Sequence, residues 1–150
     1  MLRRIRLALA LLGLSAFSQA AGSVYTGVFS NVAIRGYDPV AYFELGEARE
    51  GSSEHRLEWN GAEWHFISAE HRDRFAADPD AYAPQYGGYC AYAMADGKTV
   101  RINPEAFDIV DGRLYLNFSQ RIQTRWQDDR AGFIDQADKN WAGLAAESMD

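Results

Sequence analysis

Two dipeptides, Asn60-Gly61 and Asp111-Gly112, constrain this chain more than any other feature in it. Each is flanked by alternating apolar and polar residues. A two-residue loop of this composition supplies the positive φ at both central positions that a tight antiparallel hairpin requires. It also fixes the register, because a slip of one residue would turn every side chain to the other face. In "HRLEWNGAEWHF" Leu57 faces Trp64, His55 faces Phe66 and Trp59 lies opposite Ala62, all on an aromatic and aliphatic side. Arg56 faces His65 and Glu58 faces Glu63 on a charged side. In "AFDIVDGRLYLNF" Ile109 pairs with Leu114 and Phe107 with Leu116 on one apolar face. Thr99 to Ile102 is read as a further strand.

Caps and periodicity place the helices. Ser68 precedes "AEHRDRFAA", Glu70 lies in the first turn where the dipole favours it, and Pro79 ends the run. Ile122, Trp126, Phe133, Ala137, Trp141 and Leu144 recur at helical spacing, with Gly132 as the divider between two helices. Asp38-Pro39 in "GYDPVAYF" reads as a turn, and residues 22–36 as an extended lead-in. Two hairpins with several helices, and no strand–helix–strand alternation, predict an α+β fold. There is no repeat of solenoid period and no low-complexity linker.

The first 20 residues read as a secretory signal peptide. Arg3, Arg4 and Arg6 precede an apolar run from Leu7 to Phe17, and Ser18-Gln19-Ala20 ends in small residues. The run falls short of the ~20 residues a spanning helix needs, so no stable membrane insertion is expected after cleavage. Residues 21–150 are read as one domain in the periplasm or outside the cell. Without the three arginines, basic residues fall from 15 to 12 against 21 acidic ones, a formal charge of −9. Such a surface repels phosphate backbones, which argues against nucleic acid as a partner.

The one cysteine, Cys90, follows Gly87-Gly88 in "PQYGGYCAYA". Tyr86, Tyr89, Cys90, Ala93 and Met94 fit one face of a helix that opens at the glycines and stops at Gly97. Cys90 would then lie in a first turn, where unpaired N–H groups favour a thiolate. Alternation in "YCAYAM" fits a strand as well, and a free cysteine also packs as a small hydrophobe. His65 on the charged side of the first hairpin, His71 on the helix after it, His55 and Met94 are donors that suit copper or zinc with Cys90. Their spacing contains no CxxC or HxxxH pair. A second reading uses Tyr37, Tyr42, Tyr86, Tyr89 and Tyr92 as an aromatic surface for an apolar small molecule or a partner protein. There is no GxSxG elbow, P-loop or GxGxxG, so hydrolase and nucleotide chemistry have no support in the sequence.

"GYDPVAYF", "GAEWHFISAEHRDRFAADPDAYAPQYGGYCAYA" and "VDGRLYLNF" with "ADKNW" together resemble the exported YHS-domain proteins of bacteria, from about Gly36 to Trp141. The resemblance implies a hairpin-plus-helix core over about 36–84, with an extension over 85–145. It also implies metal binding through cysteines, but Ala41, Ile67 and His71 stand where the wider group has thiols. Cys90 belongs to the exported subgroup, where the resemblance implies that selenocysteine can take its place. On this reading a soft-metal or thiol redox role centres on Cys90, with His65 and His71 as secondary ligands.

Overall fold

The computed structural model describes residues 23–148, so the reading of 1–20 lies outside the described residues. The fold is α+β: two separate antiparallel hairpins with helices packed around them. The first hairpin joins β1 (Ser52–Trp59) to β2 (Ala62–Phe66), and the second joins β3 (Asn103–Val110) to β4 (Arg113–Asn117). Both turn where expected, with positive φ at Asn60, Gly61, Asp111 and Gly112. Register follows the turns for the inner pairs, including Leu57 with Trp64 and Ile109 with Leu114. It departs from expectation farther out. Phe66 pairs with Ser52 rather than His55, because extra residues bulge from β1.

Six helices surround the hairpins among the described residues: α1 (Pro39–Glu44), α2 (Ala69–Ala77), α3 (Pro79–Tyr82), α4 (Ala91–Met94), α5 (Gln120–Gln127) and α6 (Arg130–Glu147). Ser68 caps α2 as expected, its hydroxyl accepting from the His71 N–H. Asp38-Pro39 is not a free turn. Asp38 caps α1 and Pro39 takes its first position, where a missing N–H costs nothing. Gly132 does not divide the last two helices. The break comes at Asp128-Asp129, where Asp129 caps α6 through the Gly132 N–H. Residues 99–102 form no strand.

The lead-in is not extended to its end. Ala33–Gly36 closes a left-handed turn, with φ of 41° at Ile34 and 59° at Arg35. A buried β-branched residue there is strained by roughly 1–3 kcal/mol. Gln85–Gly88 forms the same turn, with φ of 60° at Tyr86 and 64° at Gly87.

That likeness extends through both halves. Each left-handed turn ends in Gly-Tyr, and each is followed by a short helix, a hairpin with an irregular register in its first strand, and a serine-capped helix. The Asp38 N–H donates to Arg49 O at 2.8 Å, and the Cys90 N–H to Val100 O at 3.0 Å. Ser68 and Ser119 accept from His71 and Ile122 at 3.1 Å each. The two turns meet, since a Cβ on Gly88 would come within 2.5 Å of Ile34 Cγ2. Val40, Tyr42, Trp64, Phe66 and Phe75 from the first half share one core with Cys90, Ile102, Leu114 and Leu116 from the second. A second cluster, around Tyr86, Met94, Tyr115 and Trp126, lies under α6.

Candidate functional site

Three places hold the chemistry that the sequence offers. The first is the node at Asp38. Its carboxylate is fully buried. Oδ1 accepts from the N–H of Val40 at 2.8 Å and of Ala41 at 3.2 Å, and Oδ2 accepts from the Ile67 N–H at 2.9 Å. His71 Nδ1 lies 2.7 Å from Oδ2. The group therefore ties α1, the end of β2 and α2 together, and His71 is part of that tie. His65 has other company: its Nε2 lies 2.7 Å from Glu63 Oε2, and its ring packs over Gly36.

Cys90 occupies the second place. It does not lie in the first turn of a helix opening at Gly87-Gly88, because those glycines belong to the left-handed turn and α4 starts only at Ala91. Cys90 is the residue that precedes α4, and 1% of its surface is exposed. Burial pushes its thiol pKa up, and the N–H groups of Ala93, Phe118 and Tyr92 offset only part of that effect. The expectation of a thiolate favoured by a helix start is corrected accordingly. Sγ lies 3.6 Å from Asn117 Oδ1, which also accepts from the Tyr92 N–H at 3.0 Å. An apolar hollow of about 220 Å³ opens beside the sulfur, walled by Tyr92, Val100, Phe118 and Ile122.

Neither histidine is among the groups around Cys90. No cluster of three or more His, Cys, Asp and Glu side chains able to hold a metal ion occurs among the described residues. Cys90, His65 and His71 are not brought together: His71 is paired with Asp38 and His65 with Glu63.

The third place is an open cleft of about 420 Å³ between the first hairpin turn and the second left-handed turn. Three of the chain's four tryptophans, Trp59, Trp64 and Trp141, line it together with Tyr86. Asn60, Asp80, Gln85 and Arg113 supply polar groups around them. Trp64 forms the floor, held by its indole N–H donating to Trp59 O at 2.9 Å. Trp141 reaches in from α6, and Gly87 makes room for it: a Cβ there would stand 3.2 Å from Trp141 Cη2 and 2.6 Å from Ser23 O.

The tyrosines expected to form a surface are mostly packing. Tyr42 is buried, with its hydroxyl donating to Pro104 O at 2.7 Å, and Tyr86 is 3% exposed, its hydroxyl donating to Asp138 Oδ1 at 2.9 Å. Tyr37, Tyr89 and Tyr92 are half-buried. Tyr89 leans on Tyr25 and Trp141, and Tyr92 on Phe133. The tryptophans of the cleft were legible only as core residues, because segments far apart in the chain build it. Comparison with protein-family models, with curated proteins and with solved structures finds no match.

Proposed function

We propose that this chain is an exported, non-enzymatic binding module of the YHS type that holds a small molecule in the tryptophan-lined cleft. One observation carries the reading: the half-buried Trp59 and Trp141, backed by the buried Trp64 and Tyr86, line a single open cleft with polar groups among them. Small-molecule sites combine apolar walls with a few placed polar groups in this way. The composition suits a ligand with a flat apolar face and a polar rim, such as a sugar ring or a single-ring aromatic. The hairpin followed by a serine-capped helix supports the YHS likeness. Tryptophan fluorescence, titrated with neutral mono- and disaccharides and with indole derivatives, tests the binding. A saturable change that Trp141→Ala abolishes is expected. No saturation by any member of the panel overturns the reading.

A second reading, a redox thiol at Cys90, is favoured by a separate observation. The sulfur lies beside an open hollow and beside a buried amide, that of Asn117, whose N–H₂ has no partner among the described residues. The soft-metal version has no comparable support, since His71 is paired with Asp38 and His65 with Glu63.

A further inference from the structure

The two halves repeat one framework but differ at its centre. Cys90 stands where Asp38 stands: each follows a left-handed turn and a tyrosine, precedes a short helix, and donates its N–H to the loop before the next strand. Ile122 stands where His71 stands, three residues beyond a capping serine, and Asn117 stands where Phe66 does, opposite Asn103 and Ser52 respectively. In the first half the centre is complete, since the Asp38 carboxylate has four partners.

In the second half the partners are present but the carboxylate is not. The N–H groups of Tyr92, Ala93 and Phe118 around the sulfur are the counterparts of those of Val40, Ala41 and Ile67 around Asp38. Asn117 adds an independent sign. It is fully buried, its amide oxygen is turned to the thiol and to the Tyr92 N–H, and its Nδ2 has no partner among the described residues. Swapping the two amide atoms would not help, because the Tyr92 N–H needs the oxygen. A buried N–H₂ left unpaired is costly unless something arrives to accept from it.

We propose that Cys90 is an oxidation site, and that its sulfinate fills in the second half the place that the Asp38 carboxylate fills in the first. A sulfinate on Cβ carries two oxygens and one negative charge, as the aspartate side chain does. The co-reactant is hydrogen peroxide, which the hollow beside the sulfur has room to admit. In the first step sulfur attacks the peroxide, the O–O bond breaks, an S–O bond forms, and water leaves with sulfenic acid in place of the thiol. A second peroxide repeats the exchange, giving sulfinate, water and a released proton; sulfur loses two electrons each time. The oxygens accept from the three backbone N–H groups; the Tyr92 N–H passes to them from Asn117 Oδ1, which frees the amide to turn its Nδ2 to the sulfinate. The inference rests on the redox reading of Cys90 and is independent of the cleft.

The test is to expose the native chain to hydrogen peroxide, weigh the peptide that contains Cys90, and compare melting temperatures before and after. Cys90→Asp is melted alongside. Two added oxygens on Cys90, with an oxidised chain and a Cys90→Asp chain that melt no lower than the untreated wild type, are expected. A Cys90→Asp chain that melts well below wild type overturns the proposal, because a cradle fit for sulfinate must take aspartate. Melting lowered by oxidation overturns it while leaving the redox reading in place. A native thiol that gains no oxygen, with Cys90→Asp tolerated, removes the redox reading itself and the modification with it.

Discussion

Asp38 and Cys90 hold corresponding positions, and the difference between them is one of solvation. A fully buried carboxylate is tolerated only when hydrogen bonds replace water, and Asp38 has them from three N–H groups and His71. Removing the carboxylate leaves those donors facing nothing. Asp38→Ala is expected to cost about 3–5 kcal/mol in urea denaturation, well beyond any surface change. A loss under 1 kcal/mol, roughly what a surface substitution costs, would mean the node is decoration. Cys90 is the opposite case, a group that stays neutral because burial raises its pKa. Its reaction with iodoacetamide should keep gaining speed with pH beyond the point where the urea-unfolded chain has levelled off. Parallel pH profiles for folded and unfolded chains would contradict the shift.

Glycines at turns separate conformational strain from crowding. Gly61 has φ of 77° and nothing within 4 Å of an added Cβ, so Gly61→Ala meets strain alone, about 1–2 kcal/mol. Gly88 has φ of 89°, and an added Cβ there would stand 2.5 Å from Ile34 Cγ2. Gly88→Ala should therefore lose the strain energy and about 1–3 kcal/mol more from overpacking. Equal urea midpoints for the two variants would show that the turns do not press on each other. The same contrast explains what the chain disclosed in advance. The hairpins were legible because Asn-Gly and Asp-Gly are local signals, and the cap at Ser68 because its hydroxyl acts within one turn. The left-handed turns were not, since Ile34, Arg35 and Tyr86 are residues that avoid positive φ, and it is the distant packing of the buried Ile34 and Tyr86 that holds the turns. Asp129 outranked Gly132 as the helix boundary because a cap's hydrogen bond sets where a helix starts, whereas glycine three residues in is merely permitted.

One tyrosine hydroxyl joins the halves and another ties the second turn to α6, and this makes the whole molecule sensitive to alkali. Tyr42 on α1 donates to Pro104 O in β3, and Tyr86 in the second turn donates to Asp138 on α6. The shared framework was invisible in the sequence because the two halves share its bends, caps and registers but not its side chains: Cys90 stands where Asp38 does, Ile122 where His71 does and Asn117 where Phe66 does. Burial raises the phenol pKa of Tyr42, Tyr86 and Tyr115 above the ordinary value of 10.0. A raised acid keeps its proton in the folded state after the unfolded state has released it. Its contribution to stability is thus complete below pH 10.0 and is lost as pH climbs toward the folded value, by up to about 1.4 kcal/mol per pH unit for each proton retained. Urea denaturation across this range should show stability falling steeply above pH 10.0. Tyr42→Phe leaves the Pro104 carbonyl unpaired and should lower stability at neutral pH by roughly 1–3 kcal/mol. It should also flatten the alkaline fall, because one of the retained protons is gone. An unchanged alkaline slope in Tyr42→Phe would mean that this hydroxyl is solvated in the folded protein, and that the contact between α1 and β3 is looser than its 2.7 Å hydrogen bond.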